Sequence, residues 1–185
     1  MVHNAVSLSH LYVNMVVKPG DVCVDATAGN GHDTLFLSNL VGEKGLVYSF
    51  DIQEQAIQST RKRLERFAKN ENVRQIHDSH AKVTQYVKES ITCMMFNLGY
   101  LPGGDHSFTT RFDSTKSAIM GGLSLLRNGG IICICAYWGD DQCLAECEEL
   151  TSFLRELDDT QCEVLLHDYI NEGNCPPKFF VIYKK

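Results

Sequence analysis

The sequence predicts an α/β fold: a mostly parallel sheet of seven strands with helices on both faces, closed by an antiparallel β-hairpin. Three observations predict it. Short apolar runs alternate with longer amphipathic ones along most of the chain, the pattern of strand–helix–strand crossovers. A glycine-rich stretch, AGNG (28–31), lies directly between the first strand-like run and the helix after it. The last two apolar runs, CEVLLHDYI and KFFVIYKK, are joined by NEGNCPP, which leaves no room for a helix.

The elements follow in order. VSLSHLYVNMVV predicts an N-terminal helix, ended by the Pro-Gly of KPGD. VCVDA reads as the first strand and HDTLFLSNLV as the helix behind it. GLVYSFDI is a strand, and QAIQSTRKRLERFA carries helical periodicity. VRQIH is a third strand, followed by a short helix near HAKVTQYV. ITCMMFN is an apolar run of the kind buried at a sheet centre. Residues 113–127 are expected to be helical, GGIICICAY a strand, and residues 141–157 a helix. The crossovers are expected to be right-handed.

A chain of 185 residues suits one domain, 1–185, with an N-terminal helix (1–19) ahead of the core (20–185). No apolar run reaches the length of a membrane span, and the N-terminus lacks a basic flank followed by an apolar stretch, so a cytoplasmic protein is expected. The net charge of −6 works against unspecific attraction to a polyanion. The densest basic run, RKRLERFAK (61–69), reads as a solvated helix face with internal charge pairs, turned away from the substrate. Of the eight cysteines, Cys23, Cys93, Cys133 and Cys135 lie in apolar runs and suit buried thiols. Cys143 and Cys147 stand one helical turn apart, and no Cys-x-x-Cys pair exists, so no metal is expected.

In sheets of this kind ligands sit beyond the carboxyl ends of the strands. After the first strand comes DATAGNGHDT, with Asp25, Thr27, Gly29, Asn30, Gly31 and Asp33. The glycines permit a tight turn and close approach to a ligand, and the helix that follows offers free N–H groups. Asp51 stands 20 positions beyond Gly31, an offset that suits ribose hydroxyls. Thr34 occupies the place where a dinucleotide fingerprint has its third glycine, and no Gly-Lys-Ser/Thr follows. Carboxylates around the loop disfavour a pyrophosphate. They suit S-adenosylmethionine, which carries a sulfonium, an ammonium and a ribose but no phosphate. After the third strand, Asp78, Ser79 and His80 are placed to reach its adenine side, or else to cap a helix.

At this point DATAGNGHDTLFLSNL, YSFDIQEQAI, SHAKV, FNLGYLPGGDH and NCPP together resemble the bacterial rRNA methylase family. The resemblance covers nearly the whole chain. It implies a Rossmann-like class I methyltransferase fold and S-adenosylmethionine as cofactor. That family includes the enzyme that methylates 5-aminomethyl-2-thiouridine at the tRNA wobble position. The resemblance implies Asn30, Asp33, Asp51, Gln53, Ser79 and His80 as cofactor contacts, Gln53 on that ground alone. It also implies a tRNA anticodon stem-loop as partner and a homodimer combining two weak basic patches. One departure stands out: Asp140, in YWGDD, occupies a position where the family tends to have His.

The nucleophile so implied is a primary amine, mostly protonated in water, which must be held neutral before it can attack. Asn97 and nearby backbone carbonyls, at the end of the fourth strand, can accept its N–H bonds and aim its lone pair. Tyr100 can stack on the base, while Pro102, Gly103 and Gly104 form a turn. Asp105 and His106 stand as alternative proton acceptors. Tyr137 and Trp138 are further stacking candidates, Tyr137 being the better suited to the core. Arg111, Lys116 and Lys178 are scattered candidates for phosphate contact. His10 reads as packed or surface-exposed. Competing readings are a methyltransferase for rRNA, a small amine or a protein, a nicotinamide-dependent oxidoreductase, and a non-catalytic nucleotide-binding module.

Overall fold

Two apolar stripes on one strand decide the architecture. The fourth strand, β4 (Ile91–Leu98), sends Cys93 and Met95 to one face and Met94 and Phe96 to the other, all buried. A strand with both faces dry must be covered by helices on both sides. A computed structural model shows this arrangement and describes residues 4–67, 71–99, 111–138, 141–171 and 176–185.

The remaining strands are β1 (Val22–Asp25), β2 (Leu46–Asp51), β3 (Val73–His77), β5 (Leu126–Ala136), β6 (Cys162–His167) and β7 (Lys178–Lys184). The helices are α1 (Ala5–Val16), α2 (His32–Val41), α3 (Glu54–Arg66), α4 (Val83–Tyr86), α5 (Phe112–Leu125) and α6 (Asp141–Arg155). The seven strands order as β3-β2-β1-β4-β5-β7-β6. β1 to β5 run parallel, and β7 pairs antiparallel with both β5 and β6. The chain therefore reverses its strand order between β1 and β4, the switch point where such sheets open a ligand crevice.

One core layer joins Val13 and Val17 with Leu37 and Val41 of α2 over Cys23, Cys93, Cys133 and Phe179. The opposite layer packs Ala118, Ile119, Leu150 and Leu154 on Met94, Phe96, Ile132 and Phe180. Helix α1 starts at a side-chain cap, the Asn4 Oδ1 accepting the Ser7 N–H at 2.7 Å. The described cysteines 23, 93, 133, 135, 147 and 162 are all free and buried, and burial pushes the Cys135 thiol up to about 12.

The expected helix through residue 127 is shorter, because Leu126 is already extended and begins β5. Gly129 has φ 76 inside that strand, and the β4–β5 register shifts between Ile91 and Cys93. The glycines read as a strand start are a strand irregularity instead.

Gly31 sets the distance between α2 and α3. Its φ is 75, and a Cβ there would lie 2.8 Å from the Thr60 Cα, a backbone atom that cannot swing aside. Gly31→Ala is expected to destabilise the fold by about 1–3 kcal/mol. A thermal melt reads this as a fall in Tm of about 2–4 °C per kcal/mol. An unchanged Tm would show that α3 yields freely.

Candidate active site

The first loop is built around three carboxylates. Asp25, at the end of β1, is fully buried; its Oδ1 accepts the Thr27 N–H at 3.1 Å and its Oδ2 the Thr34 hydroxyl at 2.5 Å. With Thr34 donating there, the Ser49 hydroxyl donates to Thr34 at 2.8 Å. Asp25 thus holds the loop from beneath, with no surface left for a ligand. Burial, and secondly the Asp33 carboxylate, raise its pKa to about 7. The proton is therefore kept in the folded state and lost earlier in the unfolded one. That stabilisation is full below the ordinary value of 3.8 and disappears as pH rises to about 7. Asp25→Asn is expected to remove this slope, so its Tm should gain on wild type between those pH values. Parallel pH curves for the two proteins would contradict the assignment.

Asp51 ends β2, half-buried. Its Oδ2 accepts the Gly29 N–H and its Oδ1 the Gln53 N–H, each at 2.9 Å. A carboxylate offers about four lone-pair sites, so about two stay open to hydroxyls. Gln53 enters through its backbone, as the residue capping α3. Asn30 gives its carbonyl to Arg63 Nε at 2.6 Å.

Asp33, in the first turn of α2, faces elsewhere. Its Oδ1 accepts from His10 Nε2 at 2.7 Å and its Oδ2 from Asn97 Nδ2 at 2.6 Å. The His10 ring stacks on Phe36 with centroids 3.7 Å apart and planes 6° from parallel. The Asn97 N–H also donates to Thr27 Oγ1 at 2.8 Å. A chain His10–Asp33–Asn97 thus links α1, α2 and the end of β4. Because the Asn97 amide nitrogen is spent on Asp33, the carbonyl oxygen of that side chain is turned away from Asp33, an oriented acceptor. Sequence reasoning placed His10 among packed or surface residues. Only the packing of α1 across the sheet brings it here, and no local signal marks it.

After β3, the Ser79 Oγ accepts the Ala81 N–H at 3.2 Å and caps a single 3-10 turn, His80–Lys82. The capping alternative therefore holds for Ser79. Asp78 bonds Tyr86 and Lys82, which hold its carboxyl down to about 2. His80 is different. Its Nδ1 lies 2.9 Å from the Ala26 carbonyl, so Nδ1 carries the hydrogen and Nε2 is a bare acceptor. That Nε2 is buried and has no partner among the described residues. Burial lowers the His80 pKa, which keeps the ring neutral. An orphaned buried acceptor near the Asp51 carboxylate is a place for a ligand's donor.

Tyr137 departs from expectation: it is 43% exposed, and its N–H reaches the Leu98 carbonyl at 3.3 Å, beside the end of β4. A Cβ at Gly99 would lie 3.6 Å from the Tyr137 Cβ. The two aromatics exchange their expected places, since Trp138 packs on the core and donates its Nε1–H to the Pro176 carbonyl at 2.7 Å. Lys178 lies over the Trp138 ring at 5.5 Å, and Lys116 over Phe153 at 5.3 Å. Arg111 precedes α5. Tyr100, Pro102, Gly103, Gly104, Asp105, His106 and Asp140 lie outside the described residues. Among the described residues, no group of three His, Cys, Asp or Glu is placed to hold a metal, and no helix is long and apolar enough to cross a membrane.

The strand-order switch point between β1 and β4, the glycine loop without a phosphate-binding lysine, the Asp51 carboxylate and the bare acceptor of His80 fit a class I methyltransferase using S-adenosylmethionine. Comparison with known proteins agrees. Residues 47–183 match the family described as "Putative rRNA methylase", and the chain belongs to that family. A Clostridium thermocellum structure described as a "putative rRNA-methylase" is 43% identical, with TM-score 0.99 and 100% of both chains covered. A "putative methyltransferase" from Streptococcus mutans, solved in complex with SAH, is 38% identical, with TM-score 0.91 and 100% of both chains covered. The Arabidopsis thaliana protein named "tRNA (mnm(5)s(2)U34)-methyltransferase, chloroplastic" is 36% identical over 159 residues, 80% of this chain. The match spans 58% of that relative's length.

Proposed function

We propose that this protein methylates the exocyclic amine of 5-aminomethyl-2-thiouridine at the wobble position of tRNA. The observation that carries the reading is the Asn97 side chain at the end of β4, its amide nitrogen fixed on Asp33 at 2.6 Å. A carbonyl oxygen held in this way accepts an N–H of a primary amine and turns the amine's lone pair to one side. The name of the Arabidopsis relative supports the same substrate.

S-adenosylmethionine, when bound, supplies a methyl group on a sulfonium to an attacking lone pair. In this reading Asp51 holds ribose hydroxyls, the His80 Nε2 accepts from the adenosine side, and the loop Thr27–Gly31 lies along the cofactor. Gln53 and Ser79 shape that pocket through the backbone N–H and the cap described above. Asn97 and nearby carbonyls bind the amine in its neutral form, and the ammonium left after methyl transfer gives its proton to Asp105 or His106. Tyr100 and Tyr137 offer ring faces to an unstacked base. Asp33 and His10 position Asn97 without touching substrate.

The test supplies enzyme and methyl-labelled S-adenosylmethionine to tRNA carrying the unmethylated aminomethyl group. Nucleosides are then resolved by mass spectrometry. The expected product is labelled 5-methylaminomethyl-2-thiouridine. Label found only on rRNA, or only on a small amine, would overturn the substrate. An rRNA outcome is supported by relatives named ribosomal RNA small subunit methyltransferase H, among them that of Dictyoglomus turgidum, 31% identical over 105 residues, 54% of this chain and 35% of that protein.

A further inference from the structure

An acidic protein that acts on RNA needs a local surface where a polyanion can settle, because its overall charge repels one. The sequence has 23 acidic residues against 17 lysines and arginines. Most cations are scattered, but Arg61, Lys62, Arg63 and Arg66 fall within two turns of α3. Spacing alone suggested internal charge pairs, with Glu65 at i+4 from Arg61 and i+3 from Lys62. The structure does not form them. Among the described residues none of these four cations has a carboxylate partner.

Three of them line one cleft of about 310 Å3, with Asn30, His32, Ser59 and Phe67 completing its wall. Among the described residues no carboxylate lines it. Its volume is at the low end of ligand clefts, which run from about 300 to 1,000 Å3. Arg63 ties the cleft to the cofactor loop, with Nε on the Asn30 carbonyl at 2.6 Å and a terminal nitrogen donating to His32 Nε2 at 2.8 Å. Lys62 and Arg66 remain exposed, and among the described residues no side-chain hydrogen bond or ion pair holds them. Phe67 is 51% exposed, with the Arg66 guanidinium 5.8 Å from its ring centroid. Unpaired cations beside an exposed aromatic are the elements that hold single-stranded nucleic acid: charge for the phosphates and a ring for an unstacked base.

We propose that this cleft between α3 and the Asn30–His32 loop docks the phosphate backbone of the RNA substrate, with Lys62 and Arg66 on phosphates and Phe67 under a base. The proposal rests on the RNA-substrate reading above and locates its docking surface. It moves the basic run of α3 from a solvated face turned away from the substrate to a wall shared with the cofactor loop. Arg63 acts as the structural member, since its guanidinium is occupied by the loop.

The experiment compares wild type with the double variant Lys62→Gln, Arg66→Gln and with Phe67→Ala. It measures tRNA affinity over a salt series, S-adenosylhomocysteine affinity, and kcat and KM for tRNA. The double variant should bind tRNA roughly tenfold more weakly at low salt. Its plot of log affinity against log salt should be shallower by about 1.4, from about 0.7 per phosphate on a single strand. Phe67→Ala should weaken binding without changing that slope. Cofactor affinity and kcat at saturating tRNA should stay at wild-type values. Each single substitution read alone should give half the slope change, so a folding defect in the double variant would not hide the effect. Unchanged affinity and slope in variants of an enzyme that methylates tRNA would overturn the docking surface alone. Wild-type enzyme that neither binds nor methylates tRNA would overturn it together with the substrate reading. Loss of affinity for polyglutamate but not for tRNA would point to an acidic protein partner and also overturn it.

Discussion

Asp51→Ala is expected to raise the dissociation constant for S-adenosylhomocysteine by about a hundredfold, with turnover at saturating cofactor little changed. The magnitude follows from hydrogen bonds to a charged group, worth about 1.5–3 kcal/mol each. The ribose bonds in the proposed reading are of this kind. Two backbone donors, the N–H groups of Gly29 and Gln53, also lose their acceptor. Part of the loss is therefore a loosened loop. Asp51→Asn separates the two contributions. It keeps an acceptor but not the charge, so its affinity should fall between wild type and Asp51→Ala. Calorimetric titration reads all three. Equal affinities would remove Asp51 from the cofactor site, whereas a fall in kcat alone would assign it to the chemistry.

The position of Asp51 beside the glycine loop was legible in the sequence because its signal is local: a glycine loop, then an acid at the end of the next strand. The sheet was legible for a similar reason. β4 is too apolar to face water on either side, and its neighbours repeat the pattern. What stayed hidden depends on packing between distant segments. His10 meets Asp33 only because α1 lies across β5 and places an imidazole 23 residues away in sequence against the start of α2. Nothing in SLSHLYV separates that histidine from a surface one. The charges of α3 misled in the opposite sense: Glu65 has the spacing to pair with Arg61 and Lys62, yet in the fold Arg61 and Glu65 border a different depression from Lys62. Tyr137 and Trp138 show the same limit. Adjacent residues at the end of a strand point to opposite faces, and the sequence does not say which face is covered. The antiparallel β7 decides it, since Pro176, just before that strand, takes the Trp138 hydrogen bond.

Asn97→Ala is expected to lower kcat about a hundredfold, the scale of a misplaced reacting group. Cofactor affinity should be nearly unchanged, because the Asn97–Thr27 bond to the glycine loop uses the backbone N–H, while the side chain bonds Asp33 on α2. The split distinguishes a group that aims the nucleophile from one that builds the cofactor pocket. Asp33→Asn should give a smaller fall in kcat, since the new amide no longer dictates which end of Asn97 faces it. His10→Ala removes the second partner of Asp33 and should act in the same direction, again on kcat rather than on KM for tRNA. If both act through Asn97, their effects should vanish when Asn97 is already alanine, which a double-mutant cycle measures directly. Additive losses would give His10 a role of its own in moving a proton. Full turnover in Asn97→Ala would end the argument for this loop, because the oriented carbonyl would then position nothing.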